Sequence, residues 1–203
     1  MVNSIRIIGG TWKGRALEVP RESRPTSARA REALFSIVRE SVAGARFLDL
    51  YAGSGAIGLE AISRGAACAV LVERRPAALD RNVARLSSAP AQPGQIEVLR
   101  GSAADALALL EQRGNRFDLI FCDPPYGASE DALFLAKLKE ILAPGGLVIV
   151  QADARPRAFI EPDGWTVLSR RAYGRNVFYF LCRSETSVSL PLPDAFDDSG
   201  GKC

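Results

Sequence analysis

The sequence predicts an α/β chain built on one seven-stranded sheet. The sheet is mostly parallel, takes an antiparallel strand from a C-terminal hairpin, and is preceded by a small N-terminal β-hairpin and helix. Three observations predict this. Short apolar runs alternate with amphipathic stretches through residues 47–183, which is the pattern of βα units and of a parallel sheet covered by helices on both faces. A glycine-rich turn, Gly53-Ser54-Gly55-Ala56-Ile57-Gly58, follows the first apolar run. Two late runs, Trp165–Leu168 and Val177–Leu181, have no helix between them and read as a hairpin.

Residues 1–46 form the first zone. Ile5-Arg6-Ile7-Ile8 and Ala16-Leu17-Glu18-Val19 are β-type runs separated by Gly9-Gly10 and Lys13-Gly14, which suggests a hairpin with a long loop. Pro20 and Pro25 interrupt the chain, and Ser27 can cap a helix over about 28–42. Ala30, Ala33, Leu34, Ile37 and Val38 recur at helical spacing and make its buried face. Arg29, Arg31 and Arg39 fall mostly off that face. Residues 47–183 form the second zone. Strands are expected at 47–51, 69–72, 96–99, 117–122, 147–150, 165–168 and 177–181, and helices at about 56–64, 76–88, 103–112 and 130–141. Residues 184–203 are polar, acidic and punctuated by Pro and Gly, so a disordered tail is expected.

Composition narrows the chemistry. The chain of 203 residues contains no histidine. That removes Ser-His-Asp and Cys-His nucleophiles and histidine-based metal sites. Cys68, Cys122, Cys182 and Cys203 form no Cys-x-x-Cys pair, so neither zinc nor a disulfide is expected and the reading is a reducing cytoplasm. No run reaches the ~18 apolar residues of a membrane span, and the N-terminus lacks a signal-type apolar core. The net charge of +3 is unevenly spread: residues 1–46 carry nine Lys/Arg against four Asp/Glu, and residues 184–203 carry one against four. The basic N-terminal zone is where a phosphate-contacting surface would lie.

Gly53, Gly55 and Gly58 fit Gly-x-Gly-x-x-Gly between a strand and a helix, and Glu73 ends the next strand, placed to bind ribose hydroxyls. On this fingerprint alone a nicotinamide dinucleotide and an adenosyl cofactor both remain open. Asp49 tilts the choice. A carboxylate four residues before the first glycine would repel a pyrophosphate by roughly 1 kcal/mol or more, and would attract the ammonium of a methionine moiety. The second tilt is Asp123-Pro124-Pro125-Tyr126, directly after the strand 117–122. An exocyclic base amine is a poor nucleophile because its lone pair is delocalised into the ring. The Asp123 carboxylate and the Pro124 carbonyl can accept its N–H groups and stabilise the positive charge that grows on nitrogen. The prolines stiffen the turn. Tyr126 offers a flat face for the base, worth ~1–3 kcal/mol of stacking. Hydride transfer needs none of this.

At this point the sequence resembles the RsmD family of bacterial 16S rRNA guanine-N2 methyltransferases. The resemblance runs from about Arg6 to Leu181. It rests on Arg6-Ile7-Ile8-Gly9-Gly10, Lys13-Gly14-Arg15, Arg24-Pro25-Thr26 with Arg29, Arg31-Glu32, Leu34-Phe35, the stretch Asp49 to Gly58, and Asp123 to Tyr126. It implies a Rossmann-like class I methyltransferase sheet and S-adenosylmethionine as donor. Donor-binding residues would be Asp49, Tyr51, Gly53, Gly55, Gly58, Glu73, Arg74, Ser102 and Ala103. The catalytic residues would be Asp123, Pro124 and Tyr126, and RNA would meet Arg6, Lys13, Arg15, Arg24, Thr26 and Arg29. The implied substrate is 16S rRNA, presented within a small-subunit ribosomal particle to a cytoplasmic monomer, without metal or membrane. Ser102 stands where some relatives carry Asn, and position 126 is Tyr where some use Phe. Two other readings are a DNA adenine-N6 methyltransferase with the same tetrapeptide and a noncatalytic RNA-binding assembly factor. The chain is short for a separate DNA-recognition domain, and the intact Asp123 and glycine loop argue against the second.

Overall fold

The computed structural model describes residues 3–20, 25–88, 94–124, 132–153 and 163–185. Arg24, Pro125, Tyr126 and the tail expected over 184–203, from residue 186 onward, lie outside them.

The N-terminal zone pairs β1 (Asn3–Arg6) with β2 (Ala16–Val19) in an antiparallel hairpin. The first strand ends two residues earlier than the apolar run suggests. The Ile8 and Gly9 amides leave the ladder because the Glu60 carboxylate takes both, at 2.8 and 2.7 Å. The expected helix over 28–42 is two pieces: α1 (Ala28–Ile37), capped by the Ser27 hydroxyl on the Ala30 amide, and α2 (Arg39–Val42), with the bend at Val38. Arg31 corrects the sequence reading. It does not sit off the apolar face; it is 1% exposed and lies 3.7 Å from Glu60. Burying that guanidinium is tolerable because a buried carboxylate faces it.

The alternating pattern becomes β3 (Arg46–Asp49), α3 (Ala56–Ser63), β4 (Cys68–Glu73), α4 (Ala77–Ser87), β5 (Gln95–Arg100), α5 (Ala103–Gln112), β6 (Phe117–Cys122), α6 (Ala132–Ile141), β7 (Leu142–Asp153), β8 (Trp165–Tyr173) and β9 (Asn176–Arg183). The seven-stranded sheet has the order β5-β4-β3-β6-β7-β9-β8. Strands β3 to β7 are parallel, and β9 enters antiparallel between β7 and β8. The seven strands and the closing hairpin match the sequence expectation. Strand β7 begins five residues early, running through Gly145-Gly146, where Gly145 takes φ 73° and the register with β6 shifts.

Side chains alternate between two cores, as the pleat requires. One face buries Phe47, Leu71, Leu119, Phe121, Ile149 and Phe178 against α1, α3, α4 and the hairpin residues Ile7, Trp12 and Leu17. The other buries Leu48, Val70, Val72, Ile120, Val148 and Leu181 against Leu107 and Leu110 of α5 and Leu135 and Leu138 of α6. The N-terminal zone therefore shares a core with the sheet. Cys122 and Cys182 are buried and Cys68 is half-buried, and none of the three is in a disulfide.

Candidate active site

Strand order reverses between β3 and β6: from β3 the chain goes one way to β4 and β5, and later returns to β6 on the other side. Ligands in open α/β sheets bind beyond the carboxyl ends of the strands at such a point. Asp49 ends β3 opposite Phe121 of β6, and Asp123 follows β6 by one residue. The Leu50 amide bonds Phe121 O and the Ala52 amide bonds Val72 O, so the chain leaving β3 stays tied to both neighbours. The glycine loop and the Asp123 turn thus open at the same end of adjacent strands.

The glycines have separate duties. Gly55 takes φ 82° as the N-cap of α3, a conformation that side chains strain, and a Cβ there would meet Leu79 and Leu59 at 2.7 and 2.8 Å. Gly58 lets α3 approach the sheet; a Cβ there would lie 2.0 Å from Leu71 Cδ2. That approach brings the Gly58 amide to Asp49 Oδ2 at 3.1 Å, so the carboxylate serves the positive end of α3.

Asp49 is 1% exposed, and its Oδ1 makes no hydrogen bond. Burial pushes its carboxyl up to about 7, the Gly58 and Tyr51 backbone amides pull the other way, and the Asp123 and Glu73 carboxylates add to the rise. An unsatisfied buried carboxylate oxygen fits a cationic group on a ligand and opposes a pyrophosphate. The residues present therefore suit the ammonium of S-adenosylmethionine better than a dinucleotide.

Glu73 Oε2 accepts from the Gly53 amide at 2.8 Å and Oε1 from the Arg75 amide at 2.9 Å, which pins the loop. A carboxylate has about four acceptor sites, so lone pairs remain for ribose hydroxyls. Tyr51 is half-buried and packs on Phe134, with ring centres 6.3 Å apart. Arg74 is exposed and Ala103 buried. Ser102, a donor-binding candidate by resemblance, opens α5. It caps α5, accepting from the Asp105 amide at 3.1 Å and donating to Asp105 Oδ2 at 2.5 Å, so its hydroxyl is committed to its own helix.

On the acceptor side, Asp123 Oδ2 receives a hydrogen bond from Gln151 Nε2 at 3.0 Å. Burial raises Asp123 to about 6, and the Gln151 bond opposes the rise. Pro124 is half-buried beside it. Of the basic-zone candidates, Arg6, Lys13, Arg15 and Arg29 are exposed, and Arg6 Nη1 donates to Gly14 O at 2.7 Å. Thr26 departs from the expectation of a surface contact. It is buried, because its hydroxyl bonds Gln151 Oε1 at 2.9 Å. A cavity of about 360 Å³ lies between the hairpin and the start of α1, lined by residues that include Arg6, Lys13, Thr26 and Ser27.

Sequence reasoning missed Gln151, Glu60 and Phe134. Gln151 left a signal: it is the lone amide ending the apolar run 147–150. Glu60 looks like a surface residue of a short helix, yet it is fully buried.

A family model described as conserved hypothetical protein 95 matches residues 5–182. The ribosomal RNA small subunit methyltransferase D of Escherichia coli K12 is 36% identical over 185 residues, covering 89% of this chain and 90% of that one. The chain belongs to the RsmD family. A Haemophilus influenzae relative of the same name is 34% identical, covering 84% and 89%. The solved structure of yhhF from Escherichia coli superposes with a TM-score of 0.75 at 34% identity, over 89% of this chain and 98% of that one. The RsmD-family match takes in most of the hairpin and all of α1 as well as the sheet. Among the described residues no helix is long and apolar enough to cross a membrane, and no cluster of His, Cys, Asp or Glu is arranged to hold a metal ion.

Proposed function

We propose that the chain transfers a methyl group from S-adenosylmethionine to the exocyclic N2 of a guanine in 16S rRNA, within a small-subunit ribosomal particle, as a cytoplasmic monomer. The observation that carries the proposal is the placement of Asp49, with its unsatisfied oxygen, and Asp123 at the same end of neighbouring strands β3 and β6. The names of the relatives support an rRNA substrate.

Asp49 would hold the donor's ammonium, Glu73 its ribose hydroxyls and the Gly53–Gly58 loop the rest of the cofactor. When bound, S-adenosylmethionine supplies an electrophilic methyl group whose leaving group, a thioether, needs no acid. Asp123 accepts one N–H of the target amine and the Pro124 carbonyl accepts the other, which aims the nitrogen lone pair at the methyl carbon. As the N–C bond forms and the S–C bond breaks, the nitrogen becomes positive. The Asp123 carboxylate stabilises that charge and takes the proton that nitrogen sheds. Tyr126 stacks on the base, and the exposed Arg6, Lys13, Arg15 and Arg29, with Arg24, hold the RNA backbone. Because Asp123 must be ionised to accept, turnover falls as pH drops below about 6.

The test is incubation with methyl-labelled donor and small-subunit particles from cells lacking this activity, followed by nucleoside mass analysis. Label in N2-methylguanosine is expected. Label in DNA adenine would favour the DNA enzyme. Absence of both label and calorimetric donor binding would leave a noncatalytic binding role.

A further inference from the structure

The Asp123 carboxylate is reached by a two-bond chain that begins in the N-terminal zone. Thr26 Oγ1 donates to Gln151 Oε1, and Gln151 Nε2 donates to Asp123 Oδ2. Thr26 is 8% exposed and Gln151 7%. Thr26 directly precedes the Ser27 cap of α1. Gln151 lies one residue beyond Val150, which pairs with Cys122, so Gln151 of β7 stands beside Asp123, the first residue after β6. We propose that Thr26 and Gln151 are positioning residues that hold the Asp123 carboxylate in its amine-accepting orientation and in its ionised form, so that the N-terminal zone completes the catalytic turn as well as facing the RNA. This rests on the role given to Asp123 above.

The direction of the chain carries the argument. An ionised carboxylate has no proton to donate. It must be offered the Nε2 end of Gln151, which leaves Oε1 facing Thr26, so the Thr26 hydroxyl must donate. The reverse order would set one acceptor against another unless Asp123 held a proton. Each link is therefore matched to the charged form, and a hydrogen bond to the charged form favours it. Burial works against the charge, and Asp49 from β3 is a second carboxylate close enough to feel Asp123. Among the described residues Gln151 is the hydrogen-bond partner of the carboxylate, and no Lys or Arg pairs with it. A neutral amide fixes the orientation without cancelling the negative charge that the reacting amine needs. It also occupies one oxygen and leaves Oδ1 for the substrate.

The sequence explains why this is buildable. Thr26 follows Pro25, which restrains the chain entering α1, and the Ser27 cap fixes the next residue. Gln151 lies within the long strand β7, paired with Phe178 of β9. Both donors are thus mounted on rigid backbone, as a device that must hold an angle requires.

The experiment measures kcat, donor KM and the pH dependence of kcat on small-subunit particles for five variants. Thr26→Val removes the hydroxyl and keeps the shape. Thr26→Ser keeps the hydroxyl. Gln151→Leu removes the amide, Gln151→Glu replaces the donor with a second carboxyl, and Asp123→Asn is the reference. For Thr26→Val and Gln151→Leu we expect kcat to fall by about ten- to a hundredfold, the scale of a misaligned reacting group. Donor KM should stay within about twofold, and the acid limb of the profile should move to higher pH. Thr26→Ser should recover most of kcat. Gln151→Glu, nearly the same shape as the native residue, should move the limb further, because two adjacent carboxyls share a proton. Should the first two variants fold poorly, that last profile decides alone. An inactive Asp123→Asn alongside unchanged kcat and limb in the Thr26 and Gln151 variants overturns the relay and spares the role of Asp123. Normal turnover by Asp123→Asn removes the role itself.

Discussion

Asp49→Asn isolates the cost of holding a carboxylate where the donor must bind. Asp49 is 1% exposed and its carboxyl is raised from 3.8 to about 7, chiefly by burial. Below pH 4 the group is protonated in both folded and unfolded chains and adds no pH dependence. Between pH 4 and 7 the unfolded chain loses the proton and the folded chain keeps it, so this group makes stability fall as pH rises. A displacement of about 3 units at ~1.4 kcal/mol each amounts to ~4 kcal/mol, complete above pH 7. The amide keeps an oxygen for the Gly58 N–H and does not titrate. The difference in unfolding free energy between variant and parent should therefore move in the variant's favour by ~4 kcal/mol from pH 4 to pH 8. Urea titrations without donor, at half-unit pH steps, measure it. The amide nitrogen would sit in the unsatisfied position, which lowers the variant's curve by ~1–3 kcal/mol at all pH values and leaves the divergence intact. The same change removes a charge-assisted contact, so donor affinity should drop by about ten- to a hundredfold. Parallel stability curves for the two proteins would refute the reasoning.

Three other outcomes follow from the packing. Glu60→Gln should cost ~3–5 kcal/mol in urea unfolding, because Arg31, 1% exposed, then carries a buried charge without its counterion. Asp118→Asn should cost less than about 1 kcal/mol by the same assay, since its pairing with Arg46 is between side chains 39% and 48% exposed. Gly58→Ala should cost ~1–3 kcal/mol by forcing Leu71 aside, and calorimetry should find weaker donor binding as α3 shifts from Asp49.

What the sequence made legible was local. Gly53, Gly55 and Gly58 are readable because turn geometry and close packing are consequences of neighbours along the chain. Asp49 and Asp123 are readable because a carboxylate at the end of an apolar run points to the ligand end of a parallel sheet. The helix at Ala103–Gln112 and the strand at Phe117–Cys122 fall at the residues that periodicity indicates. What was not legible depends on distant partners. Arg31 looked solvated because its counterion sits 29 residues later, on a helix whose own pattern gives no hint of it. Thr26 looked like an RNA contact because its acceptor lies 125 residues away. The cap that Ser102 makes was likewise passed over: its role was taken from the family resemblance, while the Asp105 amide three residues on is what its hydroxyl meets.

Glu60 limits how this protein can be re-engineered. Its two oxygens take the Ile8 and Gly9 amides while it faces Arg31 and Arg64, so one acidic residue clasps the leading hairpin, the helix after it and the glycine-loop helix together. A graft that swaps the leading 46 residues for those of another protein would have to import a matching clasp. Specificity for a new RNA is better sought by changing outward side chains one at a time than by exchanging the whole segment.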